Sequence, residues 1–218
     1  MRVAVVLYDQ FTALDAVGPY EVLSRVPGAE VTFVAAQAGP VRTDTDRLAL
    51  VADAALDELP DPDVILIPGG PGQLALMEDE PLLSWLRRAD ASSTWTTSVC
   101  TGSLLLAAAG LLDGRRATTH WLLLDDLERH GATAVRERVV VDGKVVTAAG
   151  VSAGIDMALT LAAELAGADV AQTAQLLLEY DPKPPFDAGS PATAPDALVA
   201  ALREASRQLL AASDVQRA

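Results

Sequence analysis

Apolar residues fall along this chain in two textures. Short unbroken runs of aliphatic and β-branched residues alternate with longer stretches in which Ala and Leu recur at helical spacing. The runs Arg2 to Tyr8, Val31 to Ala36, Asp63 to Ile67 and the one that begins at Thr94 predict buried parallel strands. Between them the pattern predicts helices: one opened by Pro19 and running through Arg25, one over Pro81 to Ala91, and an Ala/Leu-rich one ended by Gly110. Further helices are expected over Trp121 to His130, Ser152 to Ala166, Asp169 to Glu179 and Asp196 to Ala212, with a frayed tail at 213–218. Val41 to Ala52 reads as a small hairpin or an extended excursion after the Gly39-Pro40 break. Val135 to Val141 and Lys144 to Ala149 flank Asp142-Gly143, a hairpin signal because this pair tolerates positive φ. Asp181 to Pro195, rich in Pro, Gly and Asp, is expected as loop. The alternation argues for an α/β sandwich with a mainly parallel sheet, in one domain spanning 1–218 and without internal repeats.

Composition narrows the function classes. Half of the 218 residues are hydrophobic, yet no run approaches the roughly 20 apolar residues of a membrane span. The start goes straight from Met1-Arg2 into the first strand, without a long apolar leader, and so predicts a cytoplasmic protein. A net charge of −14 argues against nucleic-acid binding through phosphate neutralisation. One cysteine allows no internal disulfide, and two histidines with that cysteine give no metal-ligand spacing, so no metal site is expected.

The chemistry concentrates on Cys100. By default a lone cysteine is a small buried hydrophobe. Here it stands where the strand from Thr94 turns into the Ala/Leu helix, followed by Thr101, Gly102 and Ser103. A residue on so tight a strand-to-helix turn is pushed out of the sheet edge, and a helix N-terminus favours its thiolate. Asp15 lies among Ala13, Leu14, Ala16 and Val17, where a free carboxylate has little reason to be. It is either a loop or capping carboxylate or the partner of Cys100. As partner it would share one proton with the sulfur, the charge falling on sulfur and the proton on the carboxyl. Gly69-Gly70, after the third strand, is a turn or a place of close backbone approach, with the Gly70 N–H joining that of Thr101 in an oxyanion hole. These turns follow the first, third and fourth major strands, so all three are expected to face one crevice. His120 is open between pocket-lining and catalytic roles. His130 is expected to interact with a helix C-terminus, and the Phe186 to Pro191 segment reads as surface loop.

Taken together, Leu14-Asp15-Ala16-Val17-Gly18-Pro19-Tyr20-Glu21, Ile67-Pro68-Gly69-Gly70-Pro71-Gly72, Val99-Cys100-Thr101-Gly102-Ser103, Ala117-Thr118-Thr119-His120-Trp121 and the stretch from Glu179 to Pro191 resemble the ThiJ/PfpI family of the class I glutamine-amidotransferase-like superfamily. Asp at position 15 and the Cys100-Thr101 pair are similar to its isonitrile hydratase subgroup. The resemblance implies a flavodoxin-like three-layer sandwich, a nucleophile elbow at Cys100, a homodimer, no cofactor, and a small-molecule substrate such as an isonitrile or another small electrophile. It also implies roles: Cys100 as nucleophile, Asp15 as proton donor and acceptor, Thr101 with Gly69 and Gly70 orienting the intermediate. Thr101 stands where protease-like relatives have His, which argues against peptidase activity. Glyoxalase- or deglycase-like chemistry on α-oxoaldehydes is the alternative within enzymes. A ligand-sensing or oxidative-stress-sensing domain is the alternative outside them.

Overall fold

The short apolar runs become the strands of one seven-stranded sheet in the computed structural model, which describes residues 1–217, and side chains through residue 208. The chain divides into two compact units, Met1–Glu179 and Tyr180–Ala218.

In the first unit, in chain order, stand β1 (Arg2–Val6), α1 (Ala13–Leu23), β2 (Glu30–Ala35), β3 (Gly39–Arg42), β4 (Ala49–Ala52), β5 (Ala54–Ala55) and β6 (Val64–Ile67). There follow α2 (Gln73–Leu76), α3 (Glu80–Ser92), β7 (Trp95–Val99), α4 (Gly102–Ala108), β8 (Arg116–Ala117), α5 (Leu124–Arg129) and β9 (Thr133–Ala134). The unit closes with β10 (Val139–Asp142), β11 (Val145–Ala148), α6 (Ala153–Ala166) and α7 (Ala168–Leu177). The sheet order is β10-β11-β7-β6-β1-β2-β5, parallel throughout except where β10 returns antiparallel along β11. Helices α1, α6 and α7 pack together on one face, and α2 to α5 cluster around α4 on the other. Helices on both faces explain why β6 (Val-Ile-Leu-Ile) is buried at all four positions rather than alternating. The result is the expected flavodoxin-like three-layer sandwich.

Local chemistry sets the element ends. Asp79 caps α3 by accepting the Leu82 N–H at 2.8 Å, with Pro81 in the first turn, and the helix buries Leu82, Leu83, Trp85, Leu86 and Ala89. Three expectations need correction. Pro19 does not open α1 but lies inside it, where it removes the hydrogen bond to the Asp15 carbonyl. Packing against α6 offsets that loss: a Cβ on Gly18 would sit 3.0 Å from Ile155, and Pro19 lies 3.2 Å from where Gly154 would carry one. Helices are held by such tertiary contact more than by local propensity. In the β10–β11 hairpin, Asp142 is the last ladder residue opposite Val145, so the turn is Gly143-Lys144, with Gly143 at φ +63°. The β3–β4 hairpin forms as expected, but Gly39-Pro40 begins its first strand rather than breaking the chain before it.

The second unit holds a stretch at 181–195 without strand or α-helix, in which Phe186 is exposed, followed by α8 (Asp196–Arg217). This helix runs past the expected end at Ala212. Of the tail expected at 213–218, Ala218 lies outside the described residues. No helix of the described residues is long and apolar enough to cross a membrane.

Candidate active site

Strands β7, β6 and β1 are neighbours and parallel, so the segments leaving their carboxyl ends open on one edge of the sheet. Cys100 leaves β7, Pro68 to Gly72 leave β6, and the segment after β1 leads to Asp15 in the first turn of α1. The structure thereby brings Cys100, Thr101, Gly69, Gly70 and Asp15 together.

Cys100 occupies the left-handed region at φ +56°, a conformation that costs a non-glycine residue about 1–3 kcal/mol. Its backbone is tied on both sides. The N–H donates to the carbonyls of Ala148 (3.1 Å) and Ala149 (3.0 Å), and the carbonyl accepts the Thr119 hydroxyl at 3.0 Å and the Ser103 hydroxyl at 3.2 Å. The turn aims the side chain at Asp15, and the backbone N–H groups of Val151 and Thr101 donate to the sulfur.

Asp15 is fully buried. Its Oδ2 accepts the Gly69 N–H at 2.9 Å, whereas Oδ1 is sealed from solvent with no nitrogen or oxygen donor against it. The polar group left to that carboxyl is the Cys100 thiol. Burial pushes Asp15 up to about 7, and the charge of Asp44 adds to the rise. The Gly69 N–H and the Cys100 thiol pull the other way. Burial likewise pushes the thiol up to about 12, helped by the neighbouring Asp15 charge, against the two N–H donors.

Burial raises both groups, and the pair holds one proton between carboxyl and sulfur. The two side chains are hydrogen-bonded to each other, so Asp15 is placed to exchange that proton with the sulfur.

The oxyanion-hole expectation changes. The Gly70 N–H is already donated to Thr101 Oγ1 at 2.9 Å, and the Gly69 N–H is held by Asp15. Gly69 is required for close approach: a Cβ there would lie 2.5 Å from the Thr101 nitrogen and 2.8 Å from Cys100 Cβ. Gly70 is required for its φ of +141°. The N–H groups that remain near the reacting sulfur are those of Thr101 and Val151.

His120 stands at the rim, half-buried, its ring against Gly150, where an added Cβ would meet Cδ2 at 2.8 Å. Gly150 lies between Ala149, which accepts the Cys100 N–H, and Val151, which donates to its sulfur. Burial lowers the pKa of the imidazole, and Nδ1 accepts the Leu122 N–H at 3.4 Å. That assigns the neutral ring with its proton on Nε2. His130 meets its expectation: Nδ1 lies 2.9 Å from the Asp126 carbonyl in the last turn of α5.

Three contributors were not singled out from the sequence. Val151 acts through its backbone N–H, which side-chain identity cannot announce. Thr119 was visible within Thr118-Thr119-His120 only as a neighbour of the histidine. Tyr8 ends the first apolar run and buries a hydroxyl that donates to the Pro68 carbonyl at 2.8 Å. Among the described residues, no group of three or more His, Cys, Asp or Glu side chains is placed to hold a metal ion.

The model of the DJ-1/PfpI family matches residues 1–164. The chain belongs to the DJ-1/PfpI family. It is 50% identical over 199 residues to an isonitrile hydratase of Pseudomonas putida, covering 91% of this chain and 87% of that protein. It is 30% identical over 149 residues to a deglycase of Pyrococcus abyssi, covering 67% of this chain and 89% of the relative. A crystal structure of a ThiJ/PfpI family protein from Pseudomonas syringae superposes with a TM-score of 0.92 at 40% identity, over 95% of this chain and 86% of that one. The family expectation and the fold drawn from it are therefore borne out.

Proposed function

We propose that this chain is a cysteine-dependent isonitrile hydratase, converting R–NC and water into R–NH–CHO. The observation that carries the reading is the buried pair of Cys100 and Asp15, in which a carboxylate with one undonated oxygen faces the molecule's single thiol. Half identity to an isonitrile hydratase along nearly the full length of both chains supports it.

In the first step the Asp15 carboxylate takes the thiol proton while sulfur bonds to the terminal carbon of the isonitrile. The protonated carboxyl then returns that proton to the same carbon, leaving a neutral thioimidate, R–N=CH–S–Cys100. Asp15, again a carboxylate, takes a proton from the attacking water and passes it to the imine nitrogen as the C–O bond forms, giving R–NH–CH(OH)–S–Cys100. Asp15 then takes the hydroxyl proton as the C–S bond breaks and returns it to the departing sulfur, releasing R–NH–CHO and restoring the Cys100 thiol. The N–H groups of Thr101 and Val151 stabilise charge on sulfur as it forms and as it leaves. The Thr101 hydroxyl, by holding Gly70, fixes the glycine turn that carries the Asp15 donor. The homodimer and the absence of a cofactor expected from the resemblance, and the cytoplasmic location expected from the start of the sequence, stay part of this proposal.

The test is incubation of the purified protein with a simple alkyl isonitrile, formamide being followed by mass spectrometry. Wild type is expected to turn over and Cys100→Ala to fall by at least about 1,000-fold. No turnover by wild type, or equal turnover by the variant, overturns the assignment. A parallel assay for lactate from methylglyoxal reads the deglycase-like alternative.

A further inference from the structure

We propose that Tyr8 is a positioning residue for the Asp15–Cys100 pair, acting through the Pro68–Gly69 peptide. The Tyr8 hydroxyl donates to the Pro68 carbonyl at 2.8 Å, and the Gly69 N–H donates to Asp15 Oδ2 at 2.9 Å. These are the two ends of one peptide group. A donor on the carbonyl polarises the amide and strengthens its N–H as a donor, so the phenol reaches the carboxylate through one planar unit.

The rest of the turn is held independently. The Gly69 carbonyl accepts the Thr12 N–H at 2.8 Å, and the Gly70 N–H donates to Thr101 Oγ1 at 2.9 Å. Removing the Tyr8 hydroxyl therefore weakens the donor to Asp15 while the other ties of the loop stay in place. The Tyr8 ring is 7% exposed and lies edge-on to Phe11, at 6.5 Å between centroids, which keeps the phenol fixed and dry.

Geometry and charge agree. The groups that act on Asp15 are Asp44 from the β3–β4 turn, Cys100 from the end of β7 and the Gly69 N–H from the end of β6. Tyr8, from the end of β1, feels Asp15, Cys100 and Asp44 in turn, and burial keeps it protonated and so a donor. The Gly69 N–H is the larger of the two influences that favour the ionised carboxyl. Whatever strengthens that N–H lowers the pH at which Asp15 becomes a base.

The experiment exploits the single cysteine. The rate of Cys100 alkylation by iodoacetamide, read by intact mass across pH, reports ionisation of the pair without requiring turnover. In Tyr8→Phe its first acid limb is expected to move up by about half a pH unit or more, because the amide donor is weaker. Incorporation of 3-fluorotyrosine leaves the fold nearly isosteric and makes the phenol a stronger donor, so the limb is expected to move down. Opposite shifts carry the proposal. An unmoved limb in the fluorotyrosine protein, or a fall in activity of Tyr8→Phe with its limb unmoved, overturns it and leaves Tyr8 a packing residue. The fluorinated protein decides if Tyr8→Phe does not fold. The turnover arm rests on the proposed hydratase reading, in which the acid limb of kcat/KM moves with the alkylation limb. Absence of turnover in wild type would sink that reading and leave the alkylation result standing.

Discussion

Strands β7 and β11 lie side by side and parallel, and each end of the pair carries a carboxylate, but the two carboxylates live differently. At the amino ends, Asp90 of α3 accepts the Thr96 hydroxyl at 2.6 Å and pairs with Lys144 Nζ at 3.2 Å, while Thr96 also bonds Ser93 at 3.0 Å. At the carboxyl ends, Asp15 has a single backbone donor, no cation, and one oxygen left to a thiol. The first sits where β7 and β11 begin, the second against the turns that leave β6 and β7. The first is satisfied by a cation and a hydroxyl and serves as a clasp. The second is buried without a counter-charge, and burial, helped by the charge of Asp44, raises its pKa into the range where it exchanges protons. What separates the two carboxylates is burial without a cation, not residue type.

The largest test of that contrast is Asp15→Asn. Turnover is expected to fall about 100-fold or more, since nothing else at the sulfur takes its proton. Stability should respond as well. The folded-state pKa of Asp15 lies near 7, above the roughly 3.9 of an unfolded chain, so the folded form binds the proton more tightly. The resulting stabilisation is fully present below about pH 3.9 and is lost as pH climbs through about 7, a change on the order of 4 kcal/mol. Denaturant unfolding of wild type across pH 4 to 8 should show that decline, and the Asn variant should be flatter by that amount. Parallel stability curves for the two proteins would show that Asp15 ionises as an ordinary carboxylate.

Asp90→Ala probes the opposite edge. It removes the carboxylate that Thr96 and Lys144 share, leaving them the Ser93 hydroxyl and the residue-90 backbone carbonyl, and is expected to cost about 1 kcal/mol of unfolding free energy. The acid limb of Cys100 alkylation should stay where it is, with kcat/KM within about twofold of wild type. A shift of the limb would mean that the two ends communicate along β7, and the division between clasp and site would fail.

Much of this was legible in the sequence, for physical reasons that differ by element. The strand Val64–Ile67 announced itself because burial on both faces leaves an unbroken aliphatic run, and Trp95–Val99 did so through its aromatic and β-branched residues although Thr96, Thr97 and Ser98 are polar. Cys100 and Gly69 were legible because a sharp strand-to-helix turn and a close backbone approach each demand particular residue types. The start of α1 was not, since Pro19 normally marks a first turn, and here it sits inside a helix that packs against α6 through Gly18 on Ile155 and Pro19 on Gly154. The position of Cys100 at a helix N-terminus can be read from sequence, whereas the burial that raises both its pKa and that of Asp15 cannot. Val151 and the Pro68–Gly69 peptide stayed invisible because they work through backbone atoms that every residue shares.

The smallest expected effect belongs to His120, and it separates two titrating groups that the sequence left entangled. With Nδ1 accepting the Leu122 N–H, the neutral ring offers an N–H at Nε2 and has no free lone pair with which to remove a proton. Burial moves its titration below the ordinary 6.5, whereas Asp15 is moved up to about 7. If the base of the pair is Asp15, activity rises with pH through about 7 whether or not an imidazole is present. His120→Gln, which keeps an N–H donor of similar reach, should therefore lose less than about tenfold in kcat/KM and retain the same acid limb. Loss of the limb in that variant, measured by turnover and by alkylation alike, would move the base from the carboxyl buried behind the sulfur to the ring at the rim.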